Sequence, residues 1–135
     1  MGNNNQMPAY LIKNLDQDLV WSINDRIDVL GRIIISGNFN LFIKFMEKSH
    51  QNVNEALGEV LSRGFKNEFK FQTTARIEMI KYLIAHGANI NSRIVLRGIA
   101  SGDNRQDIID LLIMSGAGIT YDEDTGRIQF SREEY

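Results

Sequence analysis

Cysteine is absent from this 135-residue chain, which removes disulfides and thiolate metal sites together. Only two histidines, His50 and His86, are present, too few for a zinc site built on imidazoles. No apolar run approaches the ~20 residues that cross a bilayer. Neither sign of charge dominates: 15 Lys and Arg face 17 Asp and Glu, for a net charge of −2. A nucleic-acid-binding surface normally needs a basic face, and this composition supplies none. The opening residues Met1-Gly2-Asn3-Asn4-Asn5-Gln6 are polar and lack the basic-then-apolar order of a signal peptide. Gln6 also stands where the myristoylation motif requires Ser or Thr. The expected compartment is therefore the cytoplasm, with no membrane and no nucleic acid as partner.

What is present is a repeated helical pattern. Apolar residues make up 43% of the chain and charged residues 24%, the composition of one compact globular domain. The first pattern is Leu30-x-x-Ile33-Ile34-x-x-Gly37, repeated as Leu57-x-x-Val60-Leu61-x-x-Gly64 and, one residue shorter, as Leu96-x-x-Ile99-Ala100-x-Gly102. Apolar positions at i, i+3 and i+4 form one helical stripe, and glycine stops the helix. The second pattern is Phe42-Ile43-Lys44-Phe45-Met46-Glu47, matched by Met79-Ile80-Lys81-Tyr82-Leu83-Ile84 and Ile108-Ile109-Asp110-Leu111-Leu112-Ile113. Leu30 to Leu96 and Met46 to Leu112 are both 66 residues apart, twice a period of about 33. The middle copy is longer: Leu57 to Leu83 spans 26 residues, against 16 for Leu30 to Met46 and for Leu96 to Leu112. An insertion over 65–74 inside that copy is offset by shortened connections on either side.

The stretch 75–91, ending His86-Gly87-Ala88-Asn89-Ile90-Asn91, resembles the second half of an ankyrin repeat almost position for position. Gly87-Ala88-Asn89-Ile90-Asn91 stands where that family has Gly-Ala-Asp-Val-Asn, and Ser115-Gly116-Ala117-Gly118-Ile119-Thr120 repeats the turn. In the first copy, Ser49 and His50 replace Gly-Ala. The family's Thr-Pro-Leu-His tetrapeptide is absent, and Pro8 is the only proline. The resemblance implies an all-α ankyrin-type helical repeat solenoid with an N-terminal capping helix and a C-terminal β-hairpin. Its expected organisation is a polar tail over 1–8 and a cap over 9–24. Three repeats follow, over 25–54, 55–91 and 92–120, then a hairpin with a truncated cap over 121–135. In the cap, Leu11, Ile12, Leu15 and Leu19 form an amphipathic stripe, and Asn24 or Asp25 offers an N-cap for a helix starting near Arg26. Residues 119–130 alternate in polarity around Asp124-Thr125-Gly126, the signature of a hairpin.

Catalytic chemistry finds no constellation to use. Asp122-x-Asp124-x-Gly126 departs from a calcium loop, because glycine falls fifth rather than sixth and no helix pair flanks it. His86 ends a helix, where the C-terminal dipole favours it, and neither histidine has a sequence-local nucleophile or acid. The chain is expected not to be an enzyme and to need no cofactor.

The insertion places Phe65, Phe69 and Phe71 within seven residues, with Lys66 and Lys70 between them. Two readings are open. Phe65 and Phe69 extend the preceding helix and pack inward, or the aromatics stand exposed as anchors for a partner. The resemblance implies that a partner lies on the first-helix face. The outward positions there are Arg32, Ile35, Ser36, Glu59, Ser62, Arg63 and Arg97. With Phe69 and Phe71 added, Arg32, Ile35, Glu59, Arg63, Phe69, Phe71 and Arg97 form the expected partner-binding set. The implied function is a non-catalytic protein-interaction module: an adaptor, an inhibitor, or an effector- or immunity-type blocker that would reach a host cytosol if secreted. The alternative is a structural subunit that stacks its end repeats into a homo-oligomer.

Overall fold

The computed structural model describes residues 23–65, 67–122, 124–125 and 127–130. These residues form six helices and one small sheet: α1 (Ile23–Ser36), α2 (Phe39–Ser49), α3 (Val53–Ser62), α4 (Lys70–Ala85), α5 (Arg93–Ser101), α6 (Gln106–Met114), β1 (Ile119–Asp122) and β2 (Arg127–Phe130). The fold is thus mostly helical, closing in the expected antiparallel hairpin, with Ile119 opposite Phe130 and Asp122 opposite Arg127. The polar tail, the stripe from Leu11 to Leu19 and the last five residues lie outside the described residues. Helix α1 begins at Ile23, so Asn24 and Asp25 occupy its first turn rather than its cap.

Short polar side chains start the later helices. The Asn38 side chain accepts the Leu41 N–H at 3.0 Å ahead of α2. Asn52 accepts the N–H groups of Asn54 and Glu55 at 2.9 and 3.0 Å ahead of α3, and Ser92 accepts from Val95 at 3.4 Å ahead of α5. Each satisfies a donor that the first helical turn leaves open. Asn and Ser therefore do the capping for which the sequence has no Thr-Pro-Leu-His.

The ends of α4 and α6 close alike. Ala88 N–H reaches Leu83 C=O at 3.0 Å and Gly87 N–H reaches Ile84 C=O at 3.1 Å; Ala117 to Leu112 and Gly116 to Ile113 repeat this at 2.9 and 3.0 Å. These paired bonds need a left-handed residue, supplied by Gly87 (φ 93°) and Gly116 (φ 101°). At the end of α2 the same place is taken by His50, at φ 54°. His50, not Ser49, is therefore the counterpart of the turn glycine.

Helix α3 packs against α1, α4 and α5, and α4 packs against α1 and α2, so the helices enclose a shared core. Leu30, Ile33, Leu57, Val60, Ile99, Met79, Leu83, Ile108 and Leu112 are all buried there. Each such side chain contributes about 1.5–3 kcal/mol by leaving water.

Helix α4 runs for 16 residues, against 11 in α2 and 9 in α6. The second half of the 65–74 insertion is thus an N-terminal extension of this helix. Helix α3 ends at Ser62, so Phe65 and Phe69 do not prolong it, and both are exposed.

Candidate binding surface

The insertion is held from below by a buried ion pair. Arg76 lies on the stripe Arg76-Met79-Ile80-Leu83, where spacing alone calls for an apolar residue. Its side chain is 2% exposed and that of Glu68 is 0% exposed, with Nε and Oε2 3.1 Å apart. The guanidinium also donates to the Val60 carbonyl at 2.6 Å and to Asn104 Oδ1 at 2.7 Å. Asn104 Nδ2 donates to the Leu61 carbonyl at 3.0 Å, and Thr73 Oγ1 donates to Glu68 Oε1 at 2.8 Å. Burial pulls the Arg76 pKa below its ordinary value, and the Glu68 carboxylate partly restores it. An ion buried this deeply is tolerated only with such partners. The network ties the insertion, the end of α3, α4 and the α5–α6 loop to one another.

A second tie works from above. Gln72 is buried; its Oε1 accepts the Phe69 N–H at 2.9 Å and its Nε2 donates to the Ile35 carbonyl at 3.0 Å. The start of α4 is thereby fastened to the end of α1. Between these two fixings the aromatics face outward, Phe69 at 69% and Phe71 at 46% exposure. Their rings stack in near-parallel planes, 6.1 Å apart and 12° from coplanar. Phe69 thus pairs with Phe71 and not with Phe65. Phe71 also lies over Gly37, where a β-carbon would come within 2.9 Å of its ring. A shallow, mostly apolar hollow of about 620 Å³ opens beside it, lined by Gly37, Phe39, Lys70, Phe71, Thr74, Ala75 and Glu78.

The remaining expected residues lie along α1, α3 and α5. Arg32 is exposed and faces Asp28 at 3.5 Å, and Ile35 is 44% exposed. Glu59 and Arg63 are half-buried and paired at 3.0 Å. The Arg63 guanidinium crosses onto α1, filling the space above Gly31. Arg63 is thus largely committed to joining α3 and α1. Ser36 departs from expectation: it is buried, and its hydroxyl donates to the Ile33 carbonyl at 2.6 Å. Arg97 is exposed and, with Glu55, Glu59 and Ile94, borders a groove of about 290 Å³ between α3 and α5. Gly58 and Gly98 form its floor. The links at 50–52 and 86–92 contain no strand, leaving the rims of this groove low.

The structure therefore gathers Phe69, Phe71 and the backbone of Ile35 at one end of α1, and Glu59, Arg63 and Arg97 along α3 and α5. Elsewhere, Asp122 uses its carboxylate to accept the N–H groups of Asp124 and Thr125 at 2.9 and 3.4 Å, fixing the hairpin tip. His86 stacks on Tyr82 with ring centres 4.0 Å apart and donates from Nδ1 to the Tyr82 carbonyl at 2.8 Å. Among the described residues, no three His, Cys, Asp or Glu side chains converge as a metal site, and no helix is long and apolar enough to cross a membrane. Comparison with protein-family models, with curated proteins and with solved structures gave no match.

Proposed function

We propose that the chain is an ankyrin-type repeat array of about three helical pairs, and that it acts without catalysis by binding another protein. The packing of α3 against α1 and α5, the matched closing turns at Gly87 and Gly116, and the buried leucines at corresponding places support the repeat reading. The binding reading rests above all on the exposed Phe69–Phe71 stack. A soluble domain gains nothing by holding two aromatic rings in water, whereas rigid exposed aromatics are the usual anchors of protein interfaces. The groove bordered by Arg97 supplies a neighbouring polar surface. Adaptor, inhibitor and blocking effector are all forms of this activity.

Affinity capture with the intact chain, followed by titration of the captured protein, tests the reading. Arg97→Glu and Phe69→Ala should each weaken that protein's binding without lowering the melting temperature. A partner unaffected by either change would contradict it. A second reading, self-association, is favoured by Ile113 and Met114 on α6, the latter 85% exposed. A mass in solution that doubles with concentration, and reverts with Met114→Glu, would select it.

A further inference from the structure

We infer that the Phe69–Phe71 patch receives an acidic protein segment bearing a large apolar side chain, with Lys70 facing the acid and the hollow beside Phe71 taking the apolar group. This deepens the protein-binding reading and rests on it. The charge of the patch carries the argument. Two carboxylates lie beside it, and each faces a cation: Glu68 with Arg76 at 3.1 Å, and Glu78, which lines the hollow, with Lys81 at 3.7 Å. Lys70, between Phe69 and Phe71 in sequence, is exposed beside the hollow and, among the described residues, has no carboxylate within ion-pair distance. A chain of net charge −2 thus sets, among the described residues, the exposed Phe69–Phe71 stack beside a lysine with no carboxylate of its own. The N-terminal end of α4, with its partial positive charge, adds to that field.

Shape points the same way. Stacking removes freedom from both rings before any partner arrives, and the Glu68 and Gln72 ties fix the segment that carries them. Such preorganisation lowers the entropic cost of docking. The hollow lined by Phe39, Phe71 and Ala75 is open enough for a leucine or phenylalanine side chain; of the two charged residues that also line it, Glu78 faces Lys81 and Lys70 faces no carboxylate among the described residues. An apolar anchor flanked by Asp or Glu matches both features.

Fluorescence anisotropy with the full chain and three synthetic peptides tests this. One peptide carries Phe and Leu among Asp and Glu, one keeps the apolar residues with Lys replacing the acids, and one keeps the acids with Ala replacing Phe and Leu. The first should bind at least about tenfold more tightly than the others, and its affinity should fall as salt is raised. Lys70→Glu and Phe71→Ala should each weaken it about fivefold or more, near the 1 kcal/mol of an interface anchor. Because Phe71 touches Gly37, Phe69→Ala provides a substitution on the exposed side, and melting temperatures are compared throughout. No binding of the first peptide, equal binding of all three, or binding indifferent to Lys70→Glu and Phe69→Ala would each overturn the inference. So would a preference for anionic phospholipid vesicles over the first peptide. Peptide or captured-protein binding lost in Arg97→Glu but intact in the Lys70 and Phe69 variants would overturn this site while leaving the protein-binding reading standing.

Discussion

Gly98 of α5 lies directly against Gly58 of α3, so close that a β-carbon on Gly98 would come within 2.9 Å of the Gly58 Cα and closer still to its carbonyl oxygen. The two helices touch backbone to backbone, and no side chain can enter the contact. A methyl group there must push the helices apart, because the obstacle is main chain rather than a flexible side chain. Gly98→Ala is therefore expected to destabilise by about 1–3 kcal/mol, the cost of overpacking, although alanine ordinarily favours a helix over glycine by roughly 1 kcal/mol. Urea unfolding measures the difference, and a Gly98→Ala protein as stable as the parent would refute the contact.

Arg76 and Glu68 should behave as a unit. Arg76→Met leaves the Glu68 carboxylate buried without its cation, which costs about 3–5 kcal/mol. Combining it with Glu68→Leu removes the stranded charge and should recover much of that loss. Equilibrium unfolding of both single variants and the double variant gives the coupling directly. Losses that simply add would mean that the pair does not hold the insertion in place.

His50 carries the left-handed conformation that glycine supplies at the two later turns. A residue with a β-carbon pays roughly 1–2 kcal/mol there, and glycine relieves it while adding freedom to the unfolded chain. His50→Gly is expected to raise stability by about 0.5–1 kcal/mol, read as a small rise in melting temperature. A fall would show that the imidazole makes a contact worth more than the strain.

Tyr82 introduces a dependence on alkaline pH. Its ring meets Phe39 and Phe42 edge-on, at 6.3 and 5.9 Å between centres. Burial, and secondarily the Glu47 carboxylate, raise its pKa above the ordinary 10.0. The fold thus favours the neutral phenol. The resulting stability is complete below about pH 10 and is lost as pH rises through the raised value. Between about pH 8 and pH 11 the parent should lose more stability than Tyr82→Phe, which keeps the ring and cannot ionise. Equal losses would remove Tyr82 from this account.

Much of the architecture was legible because it follows from periodicity. The spacing of Leu30, Ile33 and Ile34, and its return at Leu57, marks helices whose stripes are buried; in the third copy Leu96 and Ile99 are buried but Ala100 is exposed, and Val95 and Gly98 complete the buried face. The turn glycines and the Asp-Thr-Gly hairpin were equally plain, since each needs a particular residue at a particular place. The support beneath the candidate surface was harder to read. Arg76 interrupts an apolar stripe at Met79, Ile80 and Leu83, which was the available signal for a buried ion. Its partners Glu68 and Asn104 lie eight and twenty-eight residues away in sequence, and no local pattern connects them. Ser36 departs from the outward pattern because a serine can bury its hydroxyl on the preceding turn, as it does at Ile33.

Amide hydrogen exchange on the full chain, free and bound to its captured partner, tests the central claim most directly. Binding through the surface described here should slow exchange in 67–74 and 93–101 and leave the backbone of β1 and β2 unchanged. Protection confined to the hairpin or to α6, with Phe69, Phe71 and Arg97 in unprotected segments, would contradict it.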